Sequence, residues 1–506
     1  MTAPAGNPLP GLSGRIRAIP ATTWYEEILA PQFDGDRGRL LPWHVAIEKA
    51  LLLEYVALGV LDRTEAEAVA RRLHQAHADA LVADREENMS DLAFALERFV
   101  LSGLAVPVPA WHVDRSRNDI QACAQLMDGR VRLIDAAEAV LTLAAVAIDA
   151  AEGGTDTVMP GYTHLQAAQV VTPGFYLSAI AGECLQAAEL LASTYRVIDR
   201  CPLGAGAMAG QELPVDRGRM ALTLGFARAE PHALTSVASR GWAVAVAGDL
   251  AVLGVALSRF ATDLMAWGSS EYGFIDLPDD LCGISSAMPQ KKNFPILERI
   301  RGRTARLVAG VTEVAGPQRS TPYANMVEVS KEALAPLAGL FDDTMSVLRL
   351  MVAVMENLRF RPERMRAACQ REHLGGFTLA NLMTLRCSVP WRSAQLVAGR
   401  YISAQIEAGH PPDRLDPACL ARLAAESGHR IEAGPLLAEA FDVDRALTAK
   451  QSSGSTNPES VRELLLVQRE ELHRLKGLWR AHRLNGSTAL TANDRALGLE
   501  PAEVPT

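Results

Sequence analysis

The chain has 506 residues, 49% hydrophobic and 22% charged, enough apolar surface to offset the entropy of ordering a core, so a disordered or fibrous protein is excluded. Aromatics are only 5% while Ala and Leu crowd nearly every segment, which predicts an all-α, mainly helical fold built on small aliphatic side chains of high helix propensity. Its 50 basic and 59 acidic residues form no long single-sign block, which argues against a nucleic-acid partner.

Along the chain, the opening MTAPAGNPLPGLSGRIRAIP lacks the apolar run of a secretory signal, and the cysteines at 123, 184, 201, 282, 369, 387 and 419 form no CxxC pair. The expectation is a cytoplasmic protein with neither a disulfide framework nor a metal site. From Trp43 to Leu104 apolar residues recur at helical spacing, and long Ala/Leu-rich helices are expected at about 119–152, 168–200, 233–267, 295–315 and 327–357. The stretch Trp242–Leu257 approaches a membrane span in character, but it carries Asp249 and falls short of about 20 residues. It reads as a buried helix, apolar on almost every side, that favours assembly of several copies. After Phe360 shorter helices resume, and the last residues read as polar and turn-rich. Three domains are expected: an N-terminal helical domain over 1–118, a central bundle over 119–360, and a small C-terminal helical domain plus tail over 361–506.

Three polar loops interrupt this pattern. In Gly283–Glu298, GISSAMPQKKNFPILE, Gly283 allows the backbone to move, Lys291 offers a positive charge to an oxyanion, and Asn293 can bond a carboxylate. Ser285 can act as a base there if a cation and desolvation favour its alkoxide. The same residues also suit a solvated lysine pair beside a helix starting at Pro295. In PGYTHLQ, His164 follows Thr163 in a Pro-Gly turn, and Glu298 could orient its imidazole, although a structural histidine and a surface glutamate are the plainer reading. In WHVDRSRNDIQ, Arg115, Ser116, Arg117, Asn118 and Asp119 gather two guanidiniums and several neutral donors at an expected helix start, a set that suits a dicarboxylate or else an exposed, internally paired turn.

Together, GISSAMPQKKN, MPGYTHLQAAQ, HVDRSRND, CPLGAGAMAGQELPVDR, WGSSEYGFIDL and TAKQSSGSTNPESVRE resemble the signature regions of the argininosuccinate lyase branch of the fumarase/aspartase superfamily, from about residue 30 to 470. The resemblance implies three domains, a homotetramer with a 20-helix core, and active sites shared between subunits. It also implies elimination of an amine from a succinyl group to release fumarate, without metal or organic cofactor. By motif position, Ser285 corresponds to the base, Lys291 to the stabilising cation, and His164 with Glu298 to the paired histidine and carboxylate. Ser116, Arg117, Asn118, Thr163, Asn293, Tyr323 and Lys331 fall on substrate-contact positions.

The chain departs from that family at Ala93, Asp114, Ile284, Glu328 and the His44–Glu48 stretch. With the catalytic set kept and the arginine-holding part altered, the expected substrate is another N-substituted L-aspartate, of the ethylenediamine-disuccinate type. Glu328, Asp114 and Glu48 are expected to pair an amine-bearing leaving group. The alternatives are argininosuccinate lyase proper, an ammonia-releasing or hydratase-like relative, and a non-catalytic scaffold.

Overall fold

A computed structural model describes residues 18–86 and 91–501. The start of the N-terminal arm and the last residues of the tail lie outside them. Among the described residues, the three longer helices of the N-terminal region are α1 (Ala30–Ala57), α2 (Arg63–His74), begun by a capping box between Asp62 and Glu65, and α3 (Leu92–Ser102), capped by Asp91.

Five long helices follow: α4 (Arg117–Glu152), α5 (Pro173–Ile198), α6 (Gly241–Gly268), α7 (Pro295–Ala315) and α8 (Leu337–Asn357). Their contacts fix an alternating up-and-down order. Arg130 of α4 bonds the Tyr195 hydroxyl near the end of α5, and the Tyr176 hydroxyl near the start of α5 bonds Asp263 near the end of α6. The end of α6 meets the start of α7 at Gly268 and Phe294, and Arg303 of α7 reaches Ser346 of α8. The starts of α4, α6 and α8 therefore share one end of the bundle, here called the near end, and the starts of α5 and α7 share the far end. At the far end Gly154 and Gly174 let α4 and α5 approach closely, since a Cβ on Gly174 would lie 2.6 Å from the Ala151 carbonyl oxygen.

The sequence expectations change in five places. The segment 168–200 is not helical throughout. Gln166–Val171 pairs antiparallel with Met159–Thr163 as a hairpin, and the helix waits for the Thr172 cap and Pro173 at its first turn. Ser239 and Arg240 split 233–267 into Ala233–Ala238 and α6, and Pro336 heads α8 after two short turns. The polar C-terminal stretch is not turn-rich, because Pro458–Ala496 is one 39-residue helix. Its Trp479 packs on Tyr195, and its Gln468 donates to the Ser178 carbonyl, so polarity there marks a solvated face opposite a packed one.

Fifth, α6 is 28 residues long, and length no longer separates it from a membrane span. Asp249 in its first half and its packing between α5 and α7 do, although less than half of its most apolar window is buried within the chain. Val252 and Val255 stand 58% and 50% exposed. Residues 379–440 form a separate apolar cluster from four shorter helices, while α1 and the bundle share one core.

Candidate functional site

The far end gathers one set of the predicted residues. Gly283–Ile284 and Lys292–Asn293 pair as a two-stranded ribbon, so residues 285–291 form its closed tip. Within the tip, Ser285 Oγ accepts the backbone N–H of Met288 at 3.0 Å and of Ala287 at 3.4 Å. Amide donors aimed at a hydroxyl oxygen favour its charged form, which is what a serine base requires.

The paired lysines divide their roles. Lys292 Nζ is held by Asp279 at 2.9 Å, Asp276 at 3.1 Å and the Leu277 carbonyl at 2.6 Å, which ties the ribbon to the segment before it. Lys291 is exposed and makes no ion pair among the described residues. Asn293 donates one amide hydrogen to the Gly283 carbonyl at 3.3 Å, closing the ribbon. Lys291, Asn293 and Glu298 line a cavity of about 510 Å³ with Ser269 and Ser270. Ile284, the ribbon residue leading into the tip, is 94% exposed.

His164 and Thr163 also lie at the far end, on the hairpin, whose Tyr162 ring meets Tyr272 beyond α6 at 5.5 Å. The turn is not the Pro160–Gly161 pair, which lies inside the first strand. It is His164–Leu165, with φ of 52° and 61°. Two consecutive left-handed residues match the right-handed twist of a hairpin, and without glycine they store strain. The imidazole is presented outward, and no hydrogen bond joins it to Glu298 within the chain among the described residues.

The near end holds the other set. Ser116 caps α4 by accepting from the Asn118 N–H at 3.2 Å, and Asn118 Nδ2 donates to the Ala207 carbonyl at 3.0 Å. Asp119 accepts from the amides of Gly204 and Gly206, both at 3.0 Å, and burial pushes its carboxyl up to about 7 against them. Arg117 lies over the Phe94 ring and 3.3 Å from Asp91, and Lys331 lies 2.7 Å from Asp36. Tyr323 and Glu328 are exposed nearby, the Tyr323 hydroxyl 3.5 Å from Thr235. His44 is buried, and that burial lowers its imidazole pKa despite the raising fields of Asp91, Asp36 and Glu48.

Two expected leaving-group partners are corrected. Glu48 is buried in an ion pair with Arg115, and Asp114 Oδ2 accepts the Leu213 N–H at 2.8 Å, so both carboxylates hold the protein together. Arg115 is for the same reason no substrate arginine. Sequence reasoning left Asp36 and Asp91 out of the site; no local pattern marks Asp36, because its partner Lys331 is remote in sequence.

The two sets do not meet in one chain. They are separated by α4, whose 36 residues span about 54 Å at 1.5 Å per residue. A site using both needs a second copy laid with its far end against this near end.

Comparison with known proteins agrees with this architecture. The family described as Lyase matches residues 61–309. The argininosuccinate lyase of Desulforudis audaxviator is 32% identical over 441 residues, covering 85% of this chain and 89% of that protein. That of a Synechococcus strain is 30% identical, covering 84% and 86%. A solved structure of an EDDS lyase variant with bound fumarate superposes with a TM-score of 0.83 at 25% identity, covering 95% and 96%.

Proposed function

Because the chain belongs to the argininosuccinate lyase branch of the fumarase/aspartase superfamily and is a carbon–nitrogen lyase, we propose that it removes an amine from an N-substituted L-aspartate to give fumarate, reversibly. The observation that carries this reading is the Ser285 hydroxyl at the focus of two backbone amides, in the same tip as Lys291, which has no ion pair among the described residues. The alkoxide of Ser285 takes the proton from the carbon beside a carboxylate. The resulting aci-carboxylate dianion is stabilised by Lys291 and Asn293, charge and donors being already in place as it develops. The C–N bond then breaks, its electron pair leaving with nitrogen, which takes a proton from His164 directly or through water. Glu298 orients that imidazole from another subunit of a homotetramer, and Thr163 contacts the substrate beside it. Closure of the exposed tip over the substrate excludes water.

At the near end, Ser116, Arg117, Asn118, Tyr323 and Lys331 bind the substrate, and Ser116 also caps the helix that carries Arg117 and Asn118. Asp36, Asp91 and Glu328 supply negative charge beside them, which suits a leaving group bearing a further amine. The second reading, argininosuccinate to arginine plus fumarate, is favoured by the names of the curated relatives.

The test is fumarate release, followed by ultraviolet absorbance, from argininosuccinate, amine-bearing N-substituted aspartates, aspartate and malate. The reverse reaction, fumarate with a panel of amines, is read by mass. A higher kcat/KM for an amine-bearing aspartate supports the proposal, and a higher value for argininosuccinate selects the second reading. Turnover of none of them would sink both.

A further inference from the structure

The start of α6 carries an unusual electrostatic arrangement. Arg240 occupies its N-cap without a side-chain cap bond, and the first turn holds no acidic residue. The positive end of a 28-residue helix thus bears a further positive charge, where an anion is ordinarily favoured. Arg240 is 1% exposed. Its Nε donates to Gln125 Oε1 at 3.0 Å, and its Nη1 donates to the carbonyls of Val237 at 3.1 Å and Ser239 at 3.0 Å, all neutral acceptors. Its Nη2 has no partner, and no carboxylate pairs with the group among the described residues. Burial pulls the guanidinium down to about 10. A buried charge with only neutral acceptors and one orphaned donor is destabilising until a counter-ion arrives.

Arg240 lines a cavity of about 280 Å³ together with Arg200, Ser239 and Glu230. Glu230 is the one acidic side chain in that lining and lies 3.8 Å from Arg200, too long for a strong pair. Arg217 adds a third guanidinium behind the wall, donating to Ser236 Oγ at 3.1 Å and likewise without a carboxylate. The field inside is therefore positive, and the space exceeds what one side chain needs.

We propose that this cavity is an anion site separate from the catalytic tip, taking a small phosphate- or carboxylate-bearing molecule with its anionic group against Arg240 at the α6 N-terminus. Thr235 on the cavity wall reaches the Tyr323 hydroxyl, so the catalytic site must be filled during the test.

Isothermal titration of the full-length oligomer in saturating fumarate, with inorganic phosphate and separately with succinate, measures the site. The expected result is one anion per chain, with affinity at least about tenfold weaker in Arg240→Met and unchanged in Lys291→Met. Arg240→Met removes an uncompensated charge and keeps an extended side chain, so its melting temperature without phosphate should not fall. Ser239→Ala, which removes a lining hydroxyl together with its bond to the Gly241 N–H, provides a milder loss should Arg240→Met fail to fold. Tighter binding of succinate assigns the site to carboxylates, and of phosphate to phosphates. The proposal is overturned by equal phosphate binding in wild type and Arg240→Met, or by displacement of phosphate by fumarate. It also falls if phosphate has no effect while Arg240→Met dissociates the oligomer, since the counter-ion then comes from a neighbouring copy.

Discussion

Lys331 Nζ lies 2.7 Å from Asp36 Oδ2, each side chain only 17% exposed, so a lysine at the predicted substrate end already has an acidic partner from α1. If the leaving group carries an amine, Asp36 adds attraction, and Asp36→Asn is expected to raise KM about tenfold with little change in kcat. If the substrate is argininosuccinate, freeing Lys331 for the distal carboxylate should lower KM instead. Initial rates of fumarate formation decide between them.

Ser285→Ala removes a proton acceptor and almost no contact area. Turnover should fall about 10³-fold while fumarate binding, followed by titration, stays within a few-fold of wild type. Retained turnover would remove Ser285 from the mechanism.

The two lysines of the ribbon should separate cleanly. Lys291→Met is expected to lose about 10²-fold or more in kcat and to bind substrate more weakly, because its charge acts on the developing oxyanion. Lys292→Met instead releases Asp276, Asp279 and the Leu277 carbonyl, so its main effect should be faster proteolysis or hydrogen exchange of 276–293. Equal kinetic losses in both variants would refute the division.

Glu48→Gln tests the buried pair with Arg115. Leaving that guanidinium unpaired should destabilise by about 3–5 kcal/mol, seen as a lower melting temperature. Burial raises the Glu48 carboxyl, but the Arg115 and His112 fields pull it down further, to a net value below the usual carboxylate range. A depressed acid contributes stability above its unfolded pKa, near 4.5, and that contribution is lost as pH falls through the folded value. Wild type should therefore lose stability on acidification below about pH 5 more steeply than Glu48→Gln.

The separation of near and far ends along α4 gives a fifth prediction. Inactive Ser285→Ala and Arg117→Ala chains, unfolded and refolded together, should regain activity that neither shows alone, because some composite sites then receive both native residues. No recovery, with mixed oligomers verified by mass, would place the whole site in one chain.

Local pattern was enough for much of this protein. Helix propensity and apolar spacing identify α4 and α7 to within a few residues, and GISSAMPQKKN marks its loop as chemical, because these are properties of neighbours in sequence. Pattern failed where a residue's state depends on remote partners. Gln166–Val171 is a strand because another strand lies beside it, and Pro458–Ala496 is a helix because α4 and α5 cover one face. Likewise nothing local distinguishes Glu48 from Asp36. Electrostatic pairing acts through space and ignores chain order, so only the folded arrangement decided which charges hold the structure and which are left for a ligand.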